Sequence, residues 1–384
     1  MRKASLLFTL MVTFAITTSA QLVKSASTKA GTPEDKALDE ISNTTDPAQK
    51  LALIDKFQAD YGQGEFAALA LDLHVSYYSD TKDYAKVADY AQKILALDPD
   101  NFAAVVHLAH AYSELHNPGA MVDTLEKMSA ILTRYKAQSA PADAASDWKS
   151  LHDQSLADQQ PQIEYVQSLV ANGIFADTNP AERAALADRY ATTCPDAAYA
   201  PMAESLAATS YQQSQDSPHM IAAAEKAVSM NANSIDMLLL LADTYSSSGK
   251  NLDKASDYAK KALLLLPNAK KPDGIPEDQW KNQSTLQTGV AWSALGQVQI
   301  NKNDLNGAVA SFQKASPLLK ADTPTYARNL YRLGFTYARL QKIPEAKAAL
   351  TEAASYNTPF KALAKQTLDQ LGNAPPAKRS GRGN

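Results

Sequence analysis

Five residues within one short stretch carry the most chemistry in this chain: Arg328, Tyr331, Arg332, Phe335 and Arg339. Read as a helix, residues 326–340 place Leu330, Leu333, Gly334 and Tyr337 on a packing side and these five on the other. Three guanidiniums beside two aromatic rings have the donor geometry to hold a carboxylate, such as a peptide C-terminus. The opposing reading is a solvated basic face. His107 and His110 stand three apart, with His74 and His116 nearby. Two histidines at that spacing can share a metal. No carboxylate or cysteine completes a ligand set, so ordinary polar histidines are expected, with neither metal nor cofactor. The one cysteine, Cys194, precedes Pro195 and reads as a small buried or half-buried side chain rather than a nucleophile. There is no Gly-rich phosphate loop, no Gly-x-Ser-x-Gly and no His-Glu-x-x-His. No residue set names a reaction, and the chain is not expected to be an enzyme.

The elements that position these residues are helices. Glycine is scarce, 14 in 384 residues, while apolar residues make up 45% and charged ones 20%. That composition favours a folded, helical chain. A net charge of −4 lacks the basic field of a nucleic-acid binder.

Helix punctuation is explicit. Pro33 follows Thr32 as a start, Asp46-Pro47 opens a helix to about residue 61, and helices are predicted over 66–78 and 84–97, the latter stopped by Asp98-Pro99. The next helix carries Leu108, Ala109 and Tyr112, and Asn117-Pro118-Gly119 turns into its partner, 121–132. Residues 137–160 are less patterned, with helices expected near 148–156 and 163–170. Asn179-Pro180-Ala181 then echoes Asp46-Pro47-Ala48, an offset of 133 (179 − 46). At that offset Phe57 meets Tyr190, Leu73 meets Leu206, Tyr78 meets Tyr211 and Tyr112 meets Tyr245. Large residues fall on large ones, which implies two related blocks. Helices over 238–245 and 253–266 follow, then a loop over 268–283 rich in turn residues, with Trp280 as its anchor. A last helix, 360–371, is expected to stop at Gly372.

Within each block the period is 34 residues, from Tyr78 to Tyr112 and from Tyr211 to Tyr245. Trp292, Leu295, Gly296, Ala308, Phe312 and Ala315 are followed by Leu330, Leu333, Gly334, Tyr337, Ala346, Leu350 and Ala353. Small residues stand where two helices touch, and large ones where they interlock. This pattern resembles the tetratricopeptide repeat (TPR), a helix–turn–helix unit of 34 residues. The resemblance covers roughly residues 46–371, is most specific in the last two repeats, and lapses over 137–178. It implies an all-α, right-handed α-solenoid. It also implies a non-enzymatic scaffold that binds a peptide or protein segment in a concave groove. The competing expectation is an envelope enzyme or accessory subunit working through 137–178 or the 268–283 loop.

At the N-terminus Arg2 and Lys3 precede an apolar run, residues 4–16, and Ala20 ends a small-residue stretch. That is the form of a secretory signal, 1–20, with a chain starting at Gln21 after cleavage. No transmembrane span is expected thereafter, and the protein is expected to be exported, periplasmic or secreted. The predicted organisation is a signal (1–20), a flexible lead-in (21–31), an N-terminal repeat block (32–136), an irregular helical connector (137–178), a C-terminal block with a capping helix (179–371) and a disordered basic tail (372–384).

Overall fold

The computed structural model describes residues 20–23, 28–142, 144 and 146–373; the expected signal (1–20) apart from Ala20, and the expected tail (372–384) beyond 373, lie outside them. The described residues form helices and no strands. They divide into two compact units at Gln215/Asp216. The first holds α1 (Pro33–Asn43), α2 (Pro47–Tyr61), α3 (Ala67–Asp80), α4 (Tyr84–Leu97), α5 (Phe102–Glu114), α6 (Pro118–Lys136), α7 (Trp148–Asp158), α8 (Gln160–Ala176), α9 (Pro180–Thr193) and α10 (Ala200–Gln213). The second holds α11 (Ser217–Met230), α12 (Ile235–Ser248), α13 (Leu252–Leu265), α14 (Glu277–Asn301), α15 (Leu305–Leu319), α16 (Thr323–Arg339), α17 (Ile343–Ser355) and α18 (Phe360–Asn373).

The 133-residue register holds at the level of helix ends. α3 and α10, α4 and α11, and α5 and α12 each begin 133 residues apart. Matched caps fix this register at two points: Asp46 of α2 and Asn179 of α9 each accept from a backbone N–H of their own first turn, and so do Asp83 of α4 and Asp216 of α11. The hairpin turns match too. Lys82 and Gln215 both take a left-handed φ, 60° and 62°, and His116 (52°) corresponds to Gly249 (71°). The same conformation recurs before α15 at Asn303 and before α17 at Gln341. Only glycine enters that region freely. His116→Gly, exposed and glycine in the related block, should therefore raise stability by about 0.5–1 kcal/mol; a lower denaturation midpoint would contradict the turn assignment.

Close approach within the hairpins of the second unit rests on glycine. A Cβ at Gly296 would lie 2.6 Å from the Phe312 ring, and one at Gly334 would lie 2.6 Å from Leu350 Cγ and 3.2 Å from the Ala346 carbonyl. Ala308, Phe312, Leu333, Tyr337 and Ala346 form one buried cluster across α15, α16 and α17. α18 covers the end of this stack through Ala364 and Leu368, against Leu330, Leu350 and Ala353.

Several boundaries differ from the sequence reading. α6 and α8 are longer than expected, and α8 extends the helical part of the 137–178 connector. α14 begins at Glu277, so its first two turns, including Trp280, take up the end of the expected 268–283 loop. α18 runs through Gly372 to Asn373 rather than stopping there. The residues around the expected cleavage point are anchored: Ala20, the last of the expected signal, and Leu22 of the lead-in are buried. The Leu22 N–H donates to Ser155 Oγ at 2.9 Å, and the Tyr135 hydroxyl donates to the Ala20 carbonyl. Beneath them Tyr135, His152 and Trp148 stack, with His152 4.1 Å from the Tyr135 ring and 4.8 Å from the Trp148 ring.

Candidate functional site: the outer face of α16

α16 is fixed at its start by Asp322, whose carboxylate accepts from the Thr325 N–H and hydroxyl. Its packing side is the expected one, with Ala327, Leu330, Leu333, Gly334 and Tyr337 buried. The opposite side is where the five candidate residues fall, and the structure divides them.

Arg328 and Arg332 converge on α12. Arg328 Nη1 donates to Asp243 Oδ2 at 2.8 Å. Arg332 Nη2 donates to Ser247 Oγ at 3.0 Å, and its Nη1 lies 3.8 Å from Asp243 Oδ1. α14 packs against α12 and, more lightly, against α16. Side chains that reach from α16 to α12 past α14 show that these three helices line a face curving inward within this unit. Arg339 goes elsewhere: its Nη2 donates to Asn303 Oδ1 at 2.7 Å, on the α14–α15 turn. Tyr331 lies between two other rings, 6.4 Å from Phe335 and 5.9 Å from Phe360. Phe335 is 38% exposed, so the three rings make a ledge open to solvent.

The arginine cluster is not a solvated basic face. Arg332 is only 9% exposed. Burial, and then repulsion from Arg328, push its guanidinium down to about 10, against the pull of Asp243. It remains charged at neutral pH. One carboxylate answers two guanidiniums, a net charge of +1. Arg332 Nη1, Arg328 Nε and Asp243 Oδ1 are buried without a hydrogen-bond partner. Sequence reasoning missed Asp243, Ser247 and Phe360. A carboxylate on the first helix two hairpins earlier was the available signal for Asp243, but the repeat pattern does not say how far the face curves.

The histidines of the first unit disperse. His74 is buried, with Nδ1 3.0 Å from the Ala70 carbonyl and Nε2 3.0 Å from Asp55, and it stacks on Tyr90 at 4.4 Å. His110 pairs with the Tyr165 hydroxyl at 2.9 Å. His116 occupies a turn. Among the described residues no three His, Cys, Asp or Glu side chains gather as metal ligands. Cys194 ends α9, half-buried, and burial raises its thiol.

His107 lies 3.8 Å from Asp72 of α3. Burial holds His107 below the ordinary histidine value, Asp72 pulls it up, and His110 adds to the depression. Burial holds Asp72 above the ordinary carboxylate value, with His107 opposing. A depressed histidine contributes stability that is fully present above the unfolded value, about 6.5, and is lost as pH falls through the folded value. His107 should thus titrate below about 6.5 in a proton NMR titration, and lower still in Asp72→Asn. A midpoint that rises in that variant would contradict the pairing.

No protein-family model matches the sequence, and no curated protein sequence matches it. Solved structures do. YrrB, a TPR protein with an unusual peptide-binding site, is 18% identical with a TM-score of 0.39, over 56% of this chain and 97% of that one. The C-terminal part of a TPR repeat-containing protein from Cytophaga hutchinsonii is 16% identical, TM-score 0.33, over 77% and 98%. The APC/C hetero-tetramer Cut9–Hcn1 is 13% identical, TM-score 0.28, over 89% and 90%. The assignment stands on the chain's own geometry: left-handed hairpin turns 34 residues apart at 82 and 116 and again at 215 and 249, and glycine-mediated contact between paired helices. The protein is an all-helical repeat protein among its described residues, built of hairpins that resemble the tetratricopeptide unit.

Proposed function

We propose that this protein is a scaffold without catalysis of its own, and that the second unit holds an acidic segment of a partner protein along α12, α14 and α16. The observation that carries this reading is the arginine cluster. It keeps an excess positive charge and unfilled donors under a curved face, beside a ledge of rings in which Phe335 is exposed and Tyr331 and Phe360 are half-buried. A partner carboxylate would complete the set that Asp243 half fills, and an apolar partner side chain would cover Phe335 and Tyr331. Arg339, at the hairpin turn, extends the positive face.

The test uses side chains whose loss leaves the core intact. In fluorescence anisotropy with acidic peptides carrying one aromatic residue, the double variant Phe335→Ala/Arg339→Ala should bind at least about tenfold more weakly than wild type. Equal binding by both proteins would remove the proposal.

The same reading includes export. Arg2, Lys3 and the apolar run that follows support it. No helix among the described residues is long and apolar enough to cross a membrane. Cleavage after Ala20 would remove one of two acceptors of the Tyr135 hydroxyl, leave the His152 carbonyl at 3.0 Å, and keep the bond from Leu22 to Ser155. Mass spectrometry of the chain from an envelope fraction decides it: a start at Gln21 agrees, and an intact Met1 does not.

A further inference from the structure

The second unit contains an open pocket of about 550 Å³ whose lining shares no residue with the arginine cluster, although Asp236 stands about two turns before Asp243 on α12. It lies where the start of α12, the residues after α13 and the first turns of α14 meet. Its size falls in the range of small-molecule sites, about 300–1,000 Å³. The connecting loop is braced: Lys271 Nζ donates to the Ile275 carbonyl at 2.7 Å, and Gly274 supplies the left-handed turn, φ 80°.

The lining is amphipathic. The half-buried indole of Trp280 provides a flat apolar wall. Asn233 and Asn268 bring side-chain amides that no described residue engages. Gln287 Nε2 donates to Asp236 Oδ1 at 2.7 Å, which fixes both side chains, and Gln287 Oε1 is left buried without a partner. The lining carries one carboxylate, Asp236, and one ammonium, Lys270, so the site has no net charge with which to select an ion.

We propose that this cavity binds a neutral saccharide of about disaccharide size. A pyranose has an apolar C–H face that suits an indole and a rim of hydroxyls that both donate and accept. The amides of Asn233 and Asn268 and the free oxygen of Asp236 are matched to that rim. An ion of either sign would meet a like charge here, Asp236 or Lys270, and a purely apolar ligand would cover the amides without pairing them. The insertion that interrupts the repeat between α13 and α14 is then the device that makes the site.

The chain has three tryptophans, Trp148, Trp280 and Trp292, so indole N–H resonances give a direct readout. Wild-type protein would be titrated with cellobiose, maltose and N,N′-diacetylchitobiose, each to about 20 mM. The expected result is a saturable shift of the Trp280 indole with at least one of them. Asn268→Ala should weaken that binding at least about fivefold, and Trp280→Ala should abolish it. The proposal is overturned if no disaccharide moves the Trp280 resonance, or if Asn268→Ala leaves the affinity unchanged. It is also overturned if acidic or proline-rich peptides shift the resonance and the sugars do not. Should Trp280→Ala fail to fold, the comparison of wild type with Asn268→Ala still separates these outcomes.

Discussion

Replacing Phe312 with alanine should cost the second unit about 3–5 kcal/mol. The ring has no exposed surface. It packs among Ala308, Leu333, Tyr337 and Ala346, and its edge fills the space that Gly296 leaves by having no Cβ. Its removal opens a void between helices held rigid on three sides, so collapse can recover little of the loss. The contact has a second test. Gly296→Ala alone drives a methyl to 2.6 Å from the ring and should destabilise. Combined with Phe312→Leu, the methyl enters space the smaller side chain has released, so the double variant should be more stable than the sum of the two losses predicts. Chemical denaturation of the four proteins measures this, and strict additivity would mean the two residues do not meet.

Asp243→Asn should cost about 3 kcal/mol, nearly as much, without any change of volume. The carboxylate is the counter-charge of both Arg328 and Arg332. Its loss leaves two guanidiniums together, one of them almost fully buried, with no anion. Arg332→Met should cost less, because it deletes the more deeply buried charge and keeps the Arg328–Asp243 pair. Removing an anion from a buried cluster and removing a cation from it are thus not equivalent, and the order of the two losses is the prediction. If Arg332→Met is the more damaging, the cluster holds the unit together by packing and not by charge. An acidic peptide at saturating concentration should recover part of the Asp243→Asn loss if the proposed function is right.

Much of this was readable from the sequence where one residue sets local geometry. Asp46-Pro47, Asn179-Pro180 and Asp98-Pro99 mark helix ends because capping and the missing proline N–H act within one turn. The offset of 133 followed from large residues recurring where hairpins interlock, and Gly296 and Gly334 from helices that must approach closely. The misses share a different cause. α14 starts early because Glu277-Asp278 suits a first turn as well as a loop. Gly372 lies within α18, since glycine permits a helix end without compelling one. The anchoring of Leu22 by Ser155 and the pairing of Arg328 with Asp243 are tertiary contacts, 133 and 85 residues apart in sequence. A periodic pattern says which side of a helix is apolar, and it does not say how tightly the opposite side curves. The five residues proposed on α16 share one role in the sequence reading, whereas the structure divides them into a buried charge cluster, an aromatic ledge and a turn contact.

Each hairpin hides its apolar side only against its neighbours, so stability is passed between adjacent repeats. Amide hydrogen exchange of Phe312→Ala, read by mass spectrometry beside wild type, tests this most directly. The expected result is faster exchange concentrated in α14 through α17, weaker in α12, α13 and α18, and unchanged in α3 through α6. Acceleration of equal size in every helix would contradict it, because the chain would then open as a single cooperative body.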